Sequence, residues 1–262
     1  MRIYKAIEKL PKNLEGGHTK PWLVNVLTEH GLKPYVVKFF KYQTIEEIGA
    51  VSKEVFGNIL ARALDLEVPE CALIDFQPDF LASLSAEDRR RVEESDQRLK
   101  FGSEYISGAV PKLPKLPSNI LNRNLLDRIY AFDYLINNID RRESKPNILL
   151  TKRGYYLIDH EGAFVINEDS IKNYTARAIM YIYNNHLFFR FLKKSRQKYK
   201  KEYFHSFVET LKFASFRELE AANLALESNN QVVKDFDVLL RYLRSVKSSP
   251  EILLELLGKQ IK

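Results

Sequence analysis

The chain has 262 residues, of which 45% are hydrophobic and 29% charged, so it can bury the core of one large domain or two lobes and is not disordered in composition. Cys71 is the single cysteine, which excludes an internal disulfide framework. The sequence contains no signal-type segment and no run of 18 apolar residues, so it predicts neither secretion nor a membrane span. With the single cysteine, this leads us to expect a cytoplasmic protein. The net charge of +7 favours anionic partners such as nucleotides, nucleic acids or acidic proteins.

The first part of the chain predicts a small lobe that mixes sheet and helix. Strands are expected at 31–40, 69–76 and 98–108, where β-branched and aromatic residues concentrate. Apolar residues at helical spacing predict one long helix over 44–66. The order strand, long helix, strand, strand is typical of a small α+β lobe.

A proline-rich stretch divides the chain near residue 110. GAVPKLPKLPSN contains three prolines within seven residues, which resist both helix and central strand. We therefore predict a first lobe over 1–109 and a second over 110–262. The second lobe is expected to be mainly helical, apart from a hairpin formed by NILLT and YYLIDH.

Three polar residues surround this hairpin. Asp140 and Asn147 lie in the entering loop, DRRESKPNILL, and Asp159 ends the returning strand. Asp140 or Asn147 alone is more often a cap or turn residue than a ligand. Asp159 follows an apolar run, and a charge at a buried strand end needs a partner or a metal. Antiparallel pairing, however, would bring the loop and the strand end together, and two carboxylates with an amide oxygen suit Mg²⁺. One aspartate would remain off the metal and position an attacking hydroxyl.

The same residues carry a resemblance to a known family. KPNILL followed by LID is similar to the catalytic loop and metal-binding segment of protein kinases, but Asn147 comes seven residues after Asp140 instead of five. This spacing and the LIDHE segment resemble the HipA-like kinases more closely. Where that family's loop has an earlier asparagine, this chain has Lys145, so the metal role of Asn147 depends on how the loop folds. An inward-pointing Lys145 would instead touch a phosphate.

Other motifs resemble the family's nucleotide-binding segments. GGHTKPWLVNV is similar to a phosphate-covering hairpin, YVVKFF to the strand that presents the nucleotide lysine, and FGSEYISGA to the strand that meets the adenine edge. SKEVFGNILARALDLEVPE resembles the helix whose glutamate pairs with that lysine; Glu47 is a second, lower-ranked candidate. The binding residues that the resemblance implies are Gly16, Gly17, Thr19, Lys20, Lys38, Glu54, Glu104, Tyr105 and Ile106.

The resemblance implies an α+β, bilobal kinase-like fold with a small antiparallel-sheet N-lobe and a mainly helical C-lobe. It also implies a phosphotransferase that uses ATP and Mg²⁺ and modifies serine or threonine of a protein, itself included. In this hypothesis Asp140 is catalytic, and Asn147 and Asp159 bind the metal. A small molecule or lipid headgroup is an alternative acceptor, and a nucleotide-binding pseudokinase is an alternative function.

A third class of function depends on charge alone. The run KKSRQKYKKEY, residues 193–203, is the most basic part of the chain. It is interpreted either as a solvated helix face or as a contact for nucleic acid, and no zinc-finger, RNA-recognition or homeodomain pattern accompanies it.

Overall fold

The computed structural model describes residues 1–14, 20–109, 123–152 and 154–262. The contacts divide the chain into two compact units, and each unit combines three segments of the chain. Unit 1 contains Met1–Asn58, Pro69–Ser107 and Arg217–Lys234, and unit 2 contains Ile59–Val68, Gly108–Phe216 and Asp235–Lys262. The sequence predicted one boundary, after residue 109. The two units differ from this prediction because Ile59–Val68 belongs to unit 2 and Arg217–Lys234 belongs to unit 1.

The strands of unit 1 form a barrel. They are β1 (Ile3–Asn13), β2 (Trp22–Thr28), β3 (Gly31–Val37), β4 (Cys71–Asp75) and β5 (Lys100–Glu104). Their order is β1-β2-β3-β5-β4, and β4 pairs with β1 to close the ring. Alternate side chains point inward along each strand, so Val24, Val26, Tyr35, Val37 and Ile74 lie in a common core.

One ladder of the barrel corrects the expectation of an antiparallel sheet. Four pairs of neighbouring strands are antiparallel, but β1 and β4 are parallel, with Ile3 opposite Leu73 and Lys5 opposite Asp75. Parallel neighbours need a long connection between them, and the chain from β2 through the helical segment before β4 supplies it. The sequence analysis did not predict β1 and therefore missed this pairing.

Twelve helices are found in the described ranges. They are α1 (Tyr42–Ile48), α2 (Ala50–Ala63), α3 (Pro78–Ser83), α4 (Ala86–Glu93), α5 (Arg123–Leu135), α6 (Glu168–Thr175), α7 (Phe189–Lys194), α8 (Gln197–Lys200), α9 (His205–Phe213), α10 (Arg217–Ser228), α11 (Phe236–Ser248) and α12 (Pro250–Gln260). None of these described helices is long and apolar enough to cross a membrane.

The helix predicted over 44–66 is two helices. Gly49 ends α1 in the left-handed conformation, with φ of 63°, and α2 begins at the next residue. A Cβ at Gly49 would lie 2.9 Å from Ser52 Oγ and 3.1 Å from the Val232 carbonyl oxygen. The break therefore needs glycine for both its backbone angle and its close packing.

Unit 2 is mainly helical and contains the predicted hairpin. Strands β6 (Ile148–Leu150) and β7 (Tyr155–Leu157) are antiparallel, with Ile148 opposite Leu157 and Leu150 opposite Tyr155. The prediction of a hairpin at this position is confirmed. Helix α5 leads to the loop before it and packs on α7, α9 and α12.

Candidate active site

In unit 1, the predicted ion pair between Lys38 and Glu54 is formed. Lys38 follows β3, where its backbone N–H donates to the Phe101 carbonyl at 3.0 Å and extends the ladder by one residue. Its ammonium contacts Glu54 Oε1 from α2, and Glu54 is buried. Glu47 instead lies exposed on α1 and accepts from Gln43 Nε2 at 2.7 Å. Glu54, not Glu47, is therefore the partner of Lys38.

The predicted phosphate-covering hairpin lies mostly outside the described residues. Gly16, Gly17 and Thr19 belong to that part, and their role stays a prediction. Lys20 is described, is exposed and has a positive φ of 40°. Its carbonyl accepts a hydrogen bond from the Arg91 guanidinium, whose central carbon lies 5.3 Å from the centre of the Trp22 ring. Arg91 thus anchors the segment from which the hairpin would continue.

The end of β5 carries the residues predicted to meet the adenine edge. Glu104 N–H donates to the Glu70 carbonyl at 2.7 Å, and Tyr105 N–H donates to the Pro34 carbonyl at 2.9 Å. The Glu104 carboxylate contacts Lys33 at 3.3 Å. Two of the predicted backbone donors are therefore engaged within the barrel. The adenine prediction now depends on the Glu104 carbonyl and the Ile106 N–H.

In unit 2, the hairpin places Asn147 beside the residue that precedes Asp159. Ile158 N–H donates to the Asn147 carbonyl at 3.1 Å, so the pairing of β6 and β7 continues to the mouth of the loop. Both Asn147 and Asp159 have positive φ, 50° and 65°. Asparagine and aspartate tolerate this conformation better than most residues, and it directs both side chains out of the regular ladder.

Lys145 connects the two predicted aspartates. Its ammonium lies 2.6 Å from Asp140 Oδ2 and 2.8 Å from Asp159 Oδ2. Arg142 Nη2 donates to the other Asp140 oxygen at 3.0 Å. Burial lowers the pKa of Lys145, but the hydrogen bonds that its ammonium donates to both carboxylates outweigh this effect, and the pKa is raised overall. A charged ammonium therefore holds Asp140 and Asp159 together, a contact that the spacing of the motif did not define.

A buried network that the sequence analysis missed holds the loop. Arg141 is fully buried, and its Nε donates to Asp133 Oδ2 of α5 at 2.5 Å. Another nitrogen of the same guanidinium donates to the Asn147 carbonyl. Arg141 therefore joins the two ends of the loop between Asp140 and Asn147 to the preceding helix.

His186 completes this network. Its Nε2 lies 3.0 Å from Asp133 Oδ2, while Phe188 N–H donates to Nδ1 at 3.1 Å. Burial lowers the pKa of His186, so the neutral ring donates from Nε2. Burial alone would raise the pKa of Asp133, but the charge of Arg141 and the hydrogen bond from His186 lower it to about 2. The buried charges of Asp133 and Arg141 are thus balanced.

Gly162 leaves space for the side chain of Asp140. A Cβ at this glycine would lie 3.3 Å from Asp140 Cβ and 4.0 Å from its Oδ2. A side chain at this position would crowd Asp140 Cβ, which would have to shift by a few tenths of an ångström. Gly162 directly follows Glu161 in the LIDHEG segment. The glycine of this motif is therefore the sequence feature that indicates close packing against Asp140.

The donor set of unit 2 suits a hard divalent cation. Among the described residues, the side-chain nitrogen of Asn147 is buried without a hydrogen-bond partner. The two ends of a carboxamide have nearly the same shape, so a flip would present the oxygen at this position. That oxygen and the Asp159 carboxylate are ligands of the kind Mg²⁺ takes in proteins. A cation bound by Asp159 would compete there with the Lys145 ammonium.

Comparison with protein-family models agrees with the motifs. A crystal structure of a proinflammatory kinase from Helicobacter pylori, CtkA, is similar over 97% of this chain and 95% of that chain, with 13% identity and a TM-score of 0.49. No curated protein matches the sequence significantly. The family model described as HipA-like kinase matches residues 7–235, which is most of the chain. The chain therefore belongs to the HipA-like kinase family.

Proposed function

We propose that the protein is an ATP- and Mg²⁺-dependent protein kinase that phosphorylates serine or threonine, including residues of its own chain. The observation that carries this proposal is the joining of Asp140 and Asp159 through Lys145 at the mouth of the hairpin, in a chain of the HipA-like kinase family. Two carboxylates gathered at one loop would supply a metal ligand and a group for the acceptor hydroxyl.

Each predicted residue has a role in this proposal. Lys38, oriented by Glu54, would bind the α- and β-phosphates, and Asn147 and Asp159 would hold the metal. Bound Mg²⁺ would neutralise charge on the phosphates. Asp140 would accept a hydrogen bond from the acceptor hydroxyl and then take its proton. The hydroxyl oxygen bonds to the γ-phosphorus as the bond to the β,γ-bridging oxygen breaks, which leaves ADP.

Lys145 and Arg142 determine when Asp140 is available. Both Asp140 oxygens accept hydrogen bonds from these cations. The acceptor hydroxyl would therefore share the carboxylate with these cations or replace one of them before transfer. We infer that Lys145 leaves Asp140 and Asp159 when metal and nucleotide bind, and that its ammonium then faces the phosphates.

The same contact favours a second candidate function. If Lys145 stays between the two aspartates, the chain would bind nucleotide without transferring phosphate and act as a regulatory pseudokinase. The Lys38–Glu54 pair would still orient a nucleotide in that case. Transfer of the γ-phosphate distinguishes the two functions.

The test is phosphate transfer from γ-labelled ATP with MgCl₂, in the presence and absence of EDTA. We expect label on the chain at serine or threonine, mapped by mass spectrometry, and no label with EDTA. Asp159→Asn should abolish transfer, because the metal loses its charged ligand. Asp140→Asn should stop transfer but keep the binding of a fluorescent ATP analogue.

Asp65→Asn is the matched control, because Asp65 is exposed and shares a positive φ, 53°, with Asp159. It should leave transfer unchanged. Full transfer by Asp159→Asn would refute the metal assignment. Nucleotide binding without any transfer, to the chain, to a general protein acceptor or to small hydroxyl compounds, would establish the pseudokinase instead. Label that appears only on a small hydroxyl compound or lipid would keep the kinase and change the acceptor.

A further inference from the structure

The net positive charge of this protein can be assigned to twelve residues. Residues 190–201 hold seven lysines and arginines and no aspartate or glutamate, so this segment alone accounts for the net charge of +7 and the rest of the chain is balanced. The seven cations are Arg190, Lys193, Lys194, Arg196, Lys198, Lys200 and Lys201. Blocks of like charge repel one another and often bind an anionic partner.

The segment folds around a pocket. It forms the short helices α7 and α8 with a break at Ser195 and Arg196, not the single helix face considered from the sequence. A cavity of about 340 Å³ opens at this break. Its lining consists of Arg190, Phe191, Lys194, Ser195, Arg196 and Tyr199. Three cations and two aromatic rings thus face one space large enough for a single nucleotide.

A buried side chain and hydrogen bonds hold the backbone around the pocket. Leu192 of α7 is fully buried, and Tyr203 O–H donates to Ser195 Oγ at 2.7 Å. Lys200 Nζ donates to the Ile261 carbonyl at 2.8 Å, which fixes the end of α8. The ligand-facing groups remain open, because Arg190, Lys194 and Arg196 are exposed and Phe191 keeps 40% of its surface in solvent.

We propose that residues 190–201 bind single-stranded nucleic acid. An exposed ring between guanidinium groups suits a base that stacks while its phosphate meets arginine. Lysines outside the cavity, Lys193, Lys198 and Lys201, would meet phosphates of neighbouring nucleotides. A duplex hides its base faces from such a ring, and one phosphorylated side chain needs far fewer cations than seven. This binding is independent of the proposed phosphate transfer.

The experiment measures binding of a fluorescein-labelled 15-nucleotide strand to the full chain by anisotropy, between 50 and 300 mM NaCl. Affinity should fall steeply with salt. Arg190→Ala with Arg196→Ala should weaken binding and flatten the slope of log K against log salt by about 1.4, for two lost phosphate contacts. Phe191→Ala should weaken binding about tenfold and leave the slope unchanged, because stacking releases no counterions.

Lys5→Ala with Lys41→Ala is the charge-matched control, since both lysines are exposed and lie outside the segment. It should bind as tightly as the unchanged chain, and melting curves should show that every variant is folded. An equal loss in the control would overturn the proposal in favour of general charge attraction. So would the absence of binding at 50 mM NaCl, tighter binding of duplex, or full displacement by a phosphopeptide at equal phosphate concentration.

Discussion

At the scale of single residues, Arg141 sets the geometry on which the proposed chemistry depends. It directly follows Asp140, is buried against Asp133 and donates to the Asn147 carbonyl. One guanidinium therefore constrains the backbone at both ends of the loop. Removing one partner of a buried pair leaves an uncompensated charge and typically costs about 3–5 kcal/mol. The loop is thus held by interactions separate from those it offers to a ligand.

Lys145→Met tests whether the ammonium competes with a metal. Without it, Asp140 and Asp159 lose their shared cation, and a divalent ion should bind about tenfold more tightly because the attraction of the carboxylates is no longer offset. The measurement is the affinity for Mn²⁺, read from the electron paramagnetic resonance signal of the free ion.

Lys152→Met is the control for this variant. Lys152 is exposed and lies in the connection between β6 and β7, so its loss should leave Mn²⁺ affinity unchanged. Equal affinities in the Lys145→Met variant and the unchanged chain would show that the ammonium does not compete for the carboxylates.

Some residues of this site could be predicted from the sequence, and others could not. Asp140, Asn147 and Asp159 could be selected because they flank a hairpin at a recognisable spacing. The network of Asp133, Arg141 and His186 could not, because His186 lies far along the chain and no local pattern pairs it with Asp133. The direction of the Lys145 side chain could not be predicted for a different reason. The side chain of lysine is flexible, and its orientation depends more on the charged groups around it than on its position in a motif.

At the scale of elements, local patterns predicted the helices and strands better than their pairing. The strands β3, β4 and β5 and the hairpin of β6 and β7 lie where composition and turn signals placed them. Strand β1 was missed because its apolar residues occupy both faces: Tyr4 and Ala6 are buried, while Ile3 and Ile7 are about half exposed, at 45% and 44%. The break at Gly49 was missed because the apolar pattern continues through it.

Asp127 connects helix α5 to the start of helix α9. It lies on α5 and accepts from Phe204 N–H, at the start of α9, at 2.6 Å. Burial raises the pKa of Asp127 to about 6, and backbone hydrogen bonds only partly oppose this. A folded-state pKa above the unfolded value means that this group contributes stability at low pH, which is lost as the pH rises through about 6.

Asp127→Asn should remove this pH dependence. Between pH 4 and 7, the unchanged chain should lose up to about 3 kcal/mol of stability relative to the variant, since one pKa unit corresponds to about 1.4 kcal/mol. Urea unfolding at several pH values measures the difference. Comparing slopes avoids any constant effect of the new amide. Asp65→Asn, at an exposed position, should show no such divergence; parallel curves for Asp127→Asn would contradict the prediction.

At the scale of the whole molecule, each unit is assembled from segments distant in sequence. The segment Arg217–Lys234 belongs to unit 1, where Gln231 Nε2 donates to the Leu99 carbonyl at 3.1 Å and Arg98 contacts the Asn230 carbonyl at 3.3 Å. A proline-rich stretch near residue 110 indicated one boundary. It carried no information on a later segment that returns, because such contacts depend on tertiary packing.

A fragment of residues 1–109 should therefore be incomplete. Joining residues 217–234 to it through a flexible Gly-Ser linker should raise its melting temperature by at least about 5 °C, because α10 buries Leu219 and Leu226. Circular dichroism measures the transition. The control carries Leu219→Asp and Leu226→Asp in the added segment and should melt at the same temperature as the bare fragment. Equal melting of all three chains would show that the segment does not stabilise unit 1.

The closure of the barrel restricts how another protein can approach unit 1. Each of the five described strands has a neighbour on both sides, since the parallel ladder between β1 and β4 completes the ring. The ladder between β1 and β4 covers three residues of each strand, and so does the ladder between β3 and β5. Along these paired stretches, backbone groups that would otherwise form a free edge face a neighbouring strand. An extended peptide therefore cannot add itself there by β-augmentation. Recognition at these stretches must come from side chains and loops, which makes selectivity there a property of surface chemistry and not of backbone complementarity.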